Sequence, residues 1–200
     1  MRSALILAGG QGRRMGCREK ALLPVGNRTI LEQTIDVLTG VTDEVIVSVR
    51  DVVQQELLSR YTQGIDVVLD QYHDVGPLAG ILEGTRAAKG EYMFICGCDM
   101  PYLDVGVVQL LFERARGHDA AIPVWENGNL EPLHAVYRTI PMAIETEKAM
   151  LRNDIFVLAP AYKLHDAVFV DMEDIREIDP GLRTFMNINT GEDVRNMGGD

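Results

Sequence analysis

The chain is short of cysteine, of positive charge and of long apolar runs, and each shortage excludes something. Three cysteines, Cys17, Cys96 and Cys98, cannot make an even disulfide framework. Reduced thiols and a cytoplasmic setting are therefore expected. Nineteen basic residues stand against thirty acidic ones, for a formal charge of -11. That balance argues against a nucleic-acid surface, which needs a basic patch or stripe, and against docking on anionic lipid. An anionic substrate stays open only if its basic contacts are gathered at one site. The apolar run at 4–8 is too short for a signal-peptide core, and no later run approaches the roughly 20 residues of a spanning helix. Internal repeats, low-complexity segments and linkers are also missing. The 200 residues, 46% of them hydrophobic, suit one α/β domain over residues 1–200 with an ordinary buried core.

Short β-branched runs alternate with stretches of helical period. Residues 4–8 (ALILA), 44–49 (EVIVSV), 65–69 (IDVVL) and 92–96 (YMFIC) read as strands. Residues 30–38, 52–61 and 78–88 read as the helices between them, with a turn at Gly26-Asn27 and a helix start at Gly76-Pro77. Nearly continuous apolar strands alternating with helices predict a parallel sheet covered on both faces. Ligands of such sheets sit beyond the carboxyl ends of the strands. The second half is less regular. Helices are expected over 105–115, 140–151 and 192–197, and strands over 119–123, 133–137 and 168–171.

The chemistry therefore has to be sought after the strands. The first strand runs into Gly9, Gly10, Gln11, Gly12, Arg13, Arg14, Met15 and Gly16, with Lys20 beyond. Glycines let backbone N–H groups approach phosphate oxygens, arginines add charge-assisted bonds, and a lysine acts as a mobile point charge. The spacing is neither the Gly-x-x-x-x-Gly-Lys-[Ser/Thr] loop nor Gly-x-Gly-x-x-Gly, since Met15 stands where the third glycine belongs. Such a loop can be a mere strand-to-helix turn, but two arginines and a lysine in an acidic protein favour phosphate. Asp99 follows the fourth strand and Asp70 the third, and a carboxylate there suits Mg²⁺ and substrate phosphates or the nucleoside. The bland alternatives are a turn-forming or capping Asp99 and a solvated strand end at Asp70.

Four segments together resemble the molybdenum cofactor guanylyltransferases, within the nucleotidyltransferases of Rossmann-like fold. They are Leu7-Ala8-Gly9-Gly10 with Arg14-Met15-Gly16 and Lys20-Ala21-Leu22-Leu23, then Gly76-Pro77-Leu78-Ala79-Gly80, Cys98-Asp99-Met100-Pro101 and Asn187-Ile188-Asn189-Thr190. The resemblance implies a three-layer α/β fold with a mostly parallel central sheet. It also implies transfer of GMP from GTP to molybdopterin carrying molybdenum or tungsten, with Mg²⁺ and release of pyrophosphate. On it, Arg14, Lys20 and Asp99 are catalytic, and Asp99 binds Mg²⁺. Leu7, Ala8, Gly9, Gly10, Lys20, Ser48, Asp70 and Asp99 bind the nucleotide, Ser48 standing where the family often has asparagine. Gly80, His134, Asn187 and Asn189 face the acceptor. Cofactor-insertion proteins or recipient enzymes are the protein partners it suggests.

Some residues keep two readings. His134, within Glu131–Tyr137, is structural or substrate-positioning rather than a base, because a phosphate acceptor is already anionic. Cys96 and Cys98 lack the second pair a structural zinc site wants and read as buried strand residues. His73, His118 and His165 have no ligand-like neighbours, and Trp125 packs on a pterin or on the fold. Leu-Ala-Gly-Gly accompanies guanine in the family by association only. Cytidylyl transfer to the same acceptor, a sugar-phosphate or phospholactate nucleotidyltransferase, and a non-catalytic nucleotide-binding module are therefore the rivals.

Overall fold

The computed structural model describes residues 1–10, 19–72 and 74–188. Its first half runs β1 (Arg2–Leu7), β2 (Pro24–Val25), β3 (Arg28–Thr29), α1 (Ile30–Thr39), β4 (Glu44–Val49), α2 (Val52–Leu58), β5 (Asp66–Leu69), α3 (Leu78–Ala87) and β6 (Tyr92–Gly97). The second half adds α4 (Val105–Arg114), β7 (Ala120–Val124), β8 (His134–Arg138), α5 (Thr139–Leu151), β9 (Ala167–Asp171) and α6 (Met172–Arg176).

Seven strands form one sheet in the order β5-β4-β1-β6-β8-β7-β9. Strands β5, β4, β1 and β6 run parallel, as their apolar runs predict. The mostly parallel sheet has one reversed strand, β8, antiparallel to both β6 and β7. A two-stranded ribbon, β2 with β3, closes on the Gly26-Asn27 turn. The expected helix over 192–197 lies outside the described residues.

Side-chain alternation in β1 builds the three layers. Ala4, Ile6 and Ala8 point to a core shared with Leu31, Leu38, Val107 and Leu111 of α1 and α4. Leu5 points the other way, into a core with Leu78 and Ile81 of α3 and Met142 and Ala149 of α5. Helix starts are defined by side chains. Thr29 and Glu32 form a capping box on α1, and the carboxylates of Asp51 and Asp104 accept the first free N–H groups of α2 and α4. Among the described residues no helix is long and apolar enough to cross a membrane.

Because β1 lies between β4 and β6, the strand order reverses beside it, and it is at the carboxyl ends of strands at such a reversal that sheets of this kind hold their ligand crevice. Backbone bonds prolong the ladders into that crevice: Ala8 N–H to the Ser48 carbonyl at 2.9 Å, Asp70 N–H to Val49 at 2.8 Å, and Cys98 N–H to Leu7 at 3.2 Å. The loops leaving β1, β4, β5 and β6 thus start from fixed positions.

Candidate active site

Two carboxylates stand at that edge. Asp99, two residues beyond β6, has its Oδ2 3.0 Å from Lys20 Nζ. Their side chains are 27% and 18% exposed, so the pair is reachable from the crevice. Lys20 opens a single 3-10 turn, Lys20–Leu22, which Ala21 anchors by complete burial. This turn brings the lysine to an aspartate 79 positions away in sequence.

Asp70 begins the loop after β5. The buried hydroxyl of Ser48 donates to its Oδ1 at 2.5 Å. Burial pushes the Asp70 carboxyl above its ordinary range; the Ser48 bond works against that shift and nearby Glu83 adds to it. Glycines make the close approach possible. A Cβ on Gly9 would stand 2.7 Å from Asp70 Oδ2, and one on Gly80 would overlap the Ser48 hydroxyl. Leu7, Gly9, Ser48, Asp70 and Gly80 therefore form one wall.

The carboxyl-terminal segment meets the same place, since Ile188 N–H donates to the Asp99 carbonyl at 2.9 Å. Ile188 is buried with Leu23 and Ile30, which leaves Asn187 exposed beside the Asp99 loop. Arg14 and Asn189 lie outside the described residues, as do Gly12, Gly16 and His73.

His134 sits apart from the open crevice. It has no exposed surface, and burial lowers its pKa to about 3, so the ring is neutral. Its Nδ1 lies 3.2 Å from Met100 Sδ and its Nε2 3.2 Å from Thr184 Oγ1. Asp104 N–H donates to that Thr184 oxygen at 3.1 Å. The Thr184 hydroxyl can still donate its own proton to Nε2, the arrangement that would leave Nδ1–H facing the thioether. The rings of Phe94 and Phe185 enclose the imidazole. Direct acceptor contact through this side chain does not fit such burial; what His134 does is tie the Asp99 loop to the 3-10 turn before Asn187. Trp125 packs on Phe185, and its indole N–H donates to Glu131 at 2.7 Å. Cys96 and Cys98 are buried free thiols, Cys98 pushed up to about 12 by burial first and by Asp99 and Glu19 next.

Residues with no sequence signal complete the edge. Gln54 is fully buried, although Val52, Val53 and Leu57 of the same short helix are exposed. Its amide donates to the Ala8 carbonyl at 2.8 Å and accepts from Arg50 N–H at 2.8 Å.

A glycine wall, a lysine–aspartate pair at the strand ends and a strand-order reversal define a nucleotidyltransferase of Rossmann-like fold. The model of the MobA-like NTP transferase domain matches residues 4–155, and the chain belongs to that family. It is 51% identical to a probable molybdenum cofactor guanylyltransferase of Methanosarcina mazei, over 98% of this chain and 89% of that protein. The corresponding protein of Methanosarcina acetivorans is 48% identical, with the same coverage. Among solved structures, the molybdopterin-guanine dinucleotide biosynthesis protein A of Archaeoglobus fulgidus superposes with a TM-score of 0.82 at 30% identity. That match covers 98% of this chain and 96% of the other.

Proposed function

We propose that this protein transfers GMP from GTP to molybdopterin carrying molybdenum or tungsten, making the guanine dinucleotide form of the cofactor. The acceptor's terminal phosphate oxygen attacks the α-phosphorus, the bond from the α-phosphorus to the bridging oxygen breaks, and pyrophosphate leaves with that electron pair. No proton has to move, because the attacking oxygen is already an anion. The obstacle is charge and alignment, so the chain's task is positioning and electrostatic stabilisation.

The observation that carries this reading is the Lys20–Asp99 pair, 3.0 Å apart at the end of β6. Asp99 fits Mg²⁺: it is a partly exposed oxygen ligand, and Mg²⁺ is commonly held by one or two carboxylates, its remaining positions going to water and phosphates. When bound, such an ion supplies positive charge to the phosphate oxygens. Lys20 and the N–H groups of Gly9 and Gly10 hold the phosphates that depart, together with Arg14. Asp70 offers Oδ2 to donors of the nucleoside, while Ser48 holds Oδ1 and Gly9 and Gly80 keep the wall open. Asn187 and Asn189 border the acceptor side through the Ile188–Asp99 bond.

The test is pyrophosphate release with Mg²⁺ and each of GTP, CTP, ATP and UTP, with and without metal-loaded molybdopterin. Release that needs both GTP and the acceptor is expected. Lys20→Ala and Asp99→Asn should each lower kcat/KM by about 100-fold or more. Release with CTP alone would make the chain a cytidylyltransferase, and release with no triphosphate would sink the acceptor assignment.

A further inference from the structure

Arg50 is the first residue beyond β4, and three independent contacts hold its guanidinium. Its Nη1 lies 3.1 Å from Glu19 Oε2 and 3.4 Å from the Gly10 carbonyl oxygen, and its Nε lies 3.3 Å from Asp51 Oδ2. The buried Gln54 pins the Arg50 backbone and the Ala8 carbonyl together. Glu19 directly precedes Lys20, whose ammonium reaches Asp99. One guanidinium therefore joins the glycines after β1 to the residue beside Lys20, across the end of β4.

The pairing is a poor way to gain stability. The Glu19 side chain is only 8% exposed, and its buried Oε1 has no hydrogen-bond partner among the described residues. Desolvation offsets much of what a carboxylate with one oxygen unmatched gains from a single ion pair, so the pair is weak evidence for a stabilising role. What the arrangement does achieve is a fixed separation between Gly9–Gly10 and Lys20.

We propose that Arg50 is a positioning residue that holds Gly9–Gly10 and Lys20 in mutual register, so that they grip the β- and γ-phosphates of the triphosphate together. The proposal rests on the reading above, that these groups bind the departing phosphates. A planar fork with several donors can span a carbonyl and a carboxylate at once, which a point charge cannot. The contribution therefore belongs to the phosphates and is absent for a nucleotide that lacks them.

The test compares GTP with GMP by calorimetric titration of the full chain, with Tm recorded for every variant. The wild type should prefer GTP strongly. Arg50→Gln should weaken GTP binding by about tenfold while leaving GMP within about twofold, and Arg50→Lys should recover only part of the loss. Glu19→Gln, which removes the ionic arm but keeps Arg50, should give a smaller loss in the same direction, and it stands in if Arg50→Gln fails to fold. An unchanged GTP-to-GMP ratio in folded variants overturns the clamp and leaves the triphosphate reading intact. Equal loss for both nucleotides also overturns it, because that is the signature of a general structural defect. A wild type that does not prefer GTP overturns the triphosphate reading itself, and the clamp with it.

Discussion

Half-buried Asp70 and fully buried His134 carry opposite pH signatures. Asp70 has its folded pKa raised, so the folded state holds its proton to higher pH than the unfolded chain does. Its contribution is favourable when protonated and is lost as pH rises from the ordinary carboxylate range through the raised folded value. At neutral pH the ionised carboxylate is a liability. Asp70→Asn should thus raise Tm at pH 7, with the gain vanishing as pH falls through the ordinary carboxylate range, because the amide oxygen can still accept from Ser48. The same variant should weaken nucleotide binding, since Oδ2 becomes a donor; a variant that is both more stable and equally tight would remove Asp70 from the site. His134 runs the other way. Its folded pKa of about 3 lies below its ordinary value of 6.5, so the unfolded state takes the proton first and stability falls as pH drops below 6.5. Wild-type stability should fall by up to about 1.4 kcal/mol per pH unit from this one site, and His134→Gln should flatten the slope between about pH 5 and pH 6.5 in denaturant titrations.

These cases also mark what could be read at this scale. Asp70 and Asp99 were legible because each ends an apolar run. The burial of His134 was not, since nothing local says that Met100 and Thr184 will close on its ring. Arg50 and Gln54 had no signal at all: an arginine before Asp51 reads as loop, and a glutamine in a half-exposed helix reads as solvated.

At the scale of elements, one tight contact joins α3 to β1. A Cβ on Gly84 would stand 2.5 Å from both methyl carbons of Leu5, a residue with no exposed surface. Two effects compete in Gly84→Ala. Helix propensity favours alanine by about 1 kcal/mol, whereas overpacking a filled core costs about 1–3 kcal/mol. Leu5 is walled in by the α3–α5 core, so the cost should win, giving a net loss of up to about 2 kcal/mol and a drop in Tm of up to roughly 8 °C. Adding Leu5→Val should return part of it. A Gly84→Ala protein as stable as wild type would show that α3 can slide on the sheet. Element boundaries in the first half follow from the apolar periods to within three residues: β4 matches at both ends at Glu44–Val49, whereas α2 stops at Leu58 rather than at 61. The reversed direction of β8 was not readable, because strand direction leaves no mark in a five-residue run such as His134–Arg138 and pairing depends on partners far along the chain. The five-residue α6 and the β2–β3 ribbon are too short to carry a period.

At the scale of the whole molecule, charge is distributed unevenly enough to select among anions. The chain carries a net charge of -11, yet four of its nineteen basic residues, Arg13, Arg14, Arg18 and Lys20, fall within eight positions. A triphosphate needs a few cations at one point, and the proposed reading assigns them to this stretch of sequence. A nucleic acid needs cations spaced along its backbone, and beyond the Debye length of about 8 Å it meets an acidic surface that repels it. The same net charge that disfavours polyanions leaves the compact ligand unharmed, because its contacts are local and the far field is screened. A tenfold mass excess of RNA should therefore leave the Kd for GTP within about twofold at about 0.15 M salt, read by titration of a fluorescent GTP analogue. Inorganic triphosphate at concentrations far above its own Kd should displace GTP fully, because it carries the groups the proposed reading assigns to this loop. If RNA competes and triphosphate does not, the cations between Arg13 and Lys20 serve an extended ligand, and the assignment of this loop to the departing phosphates fails.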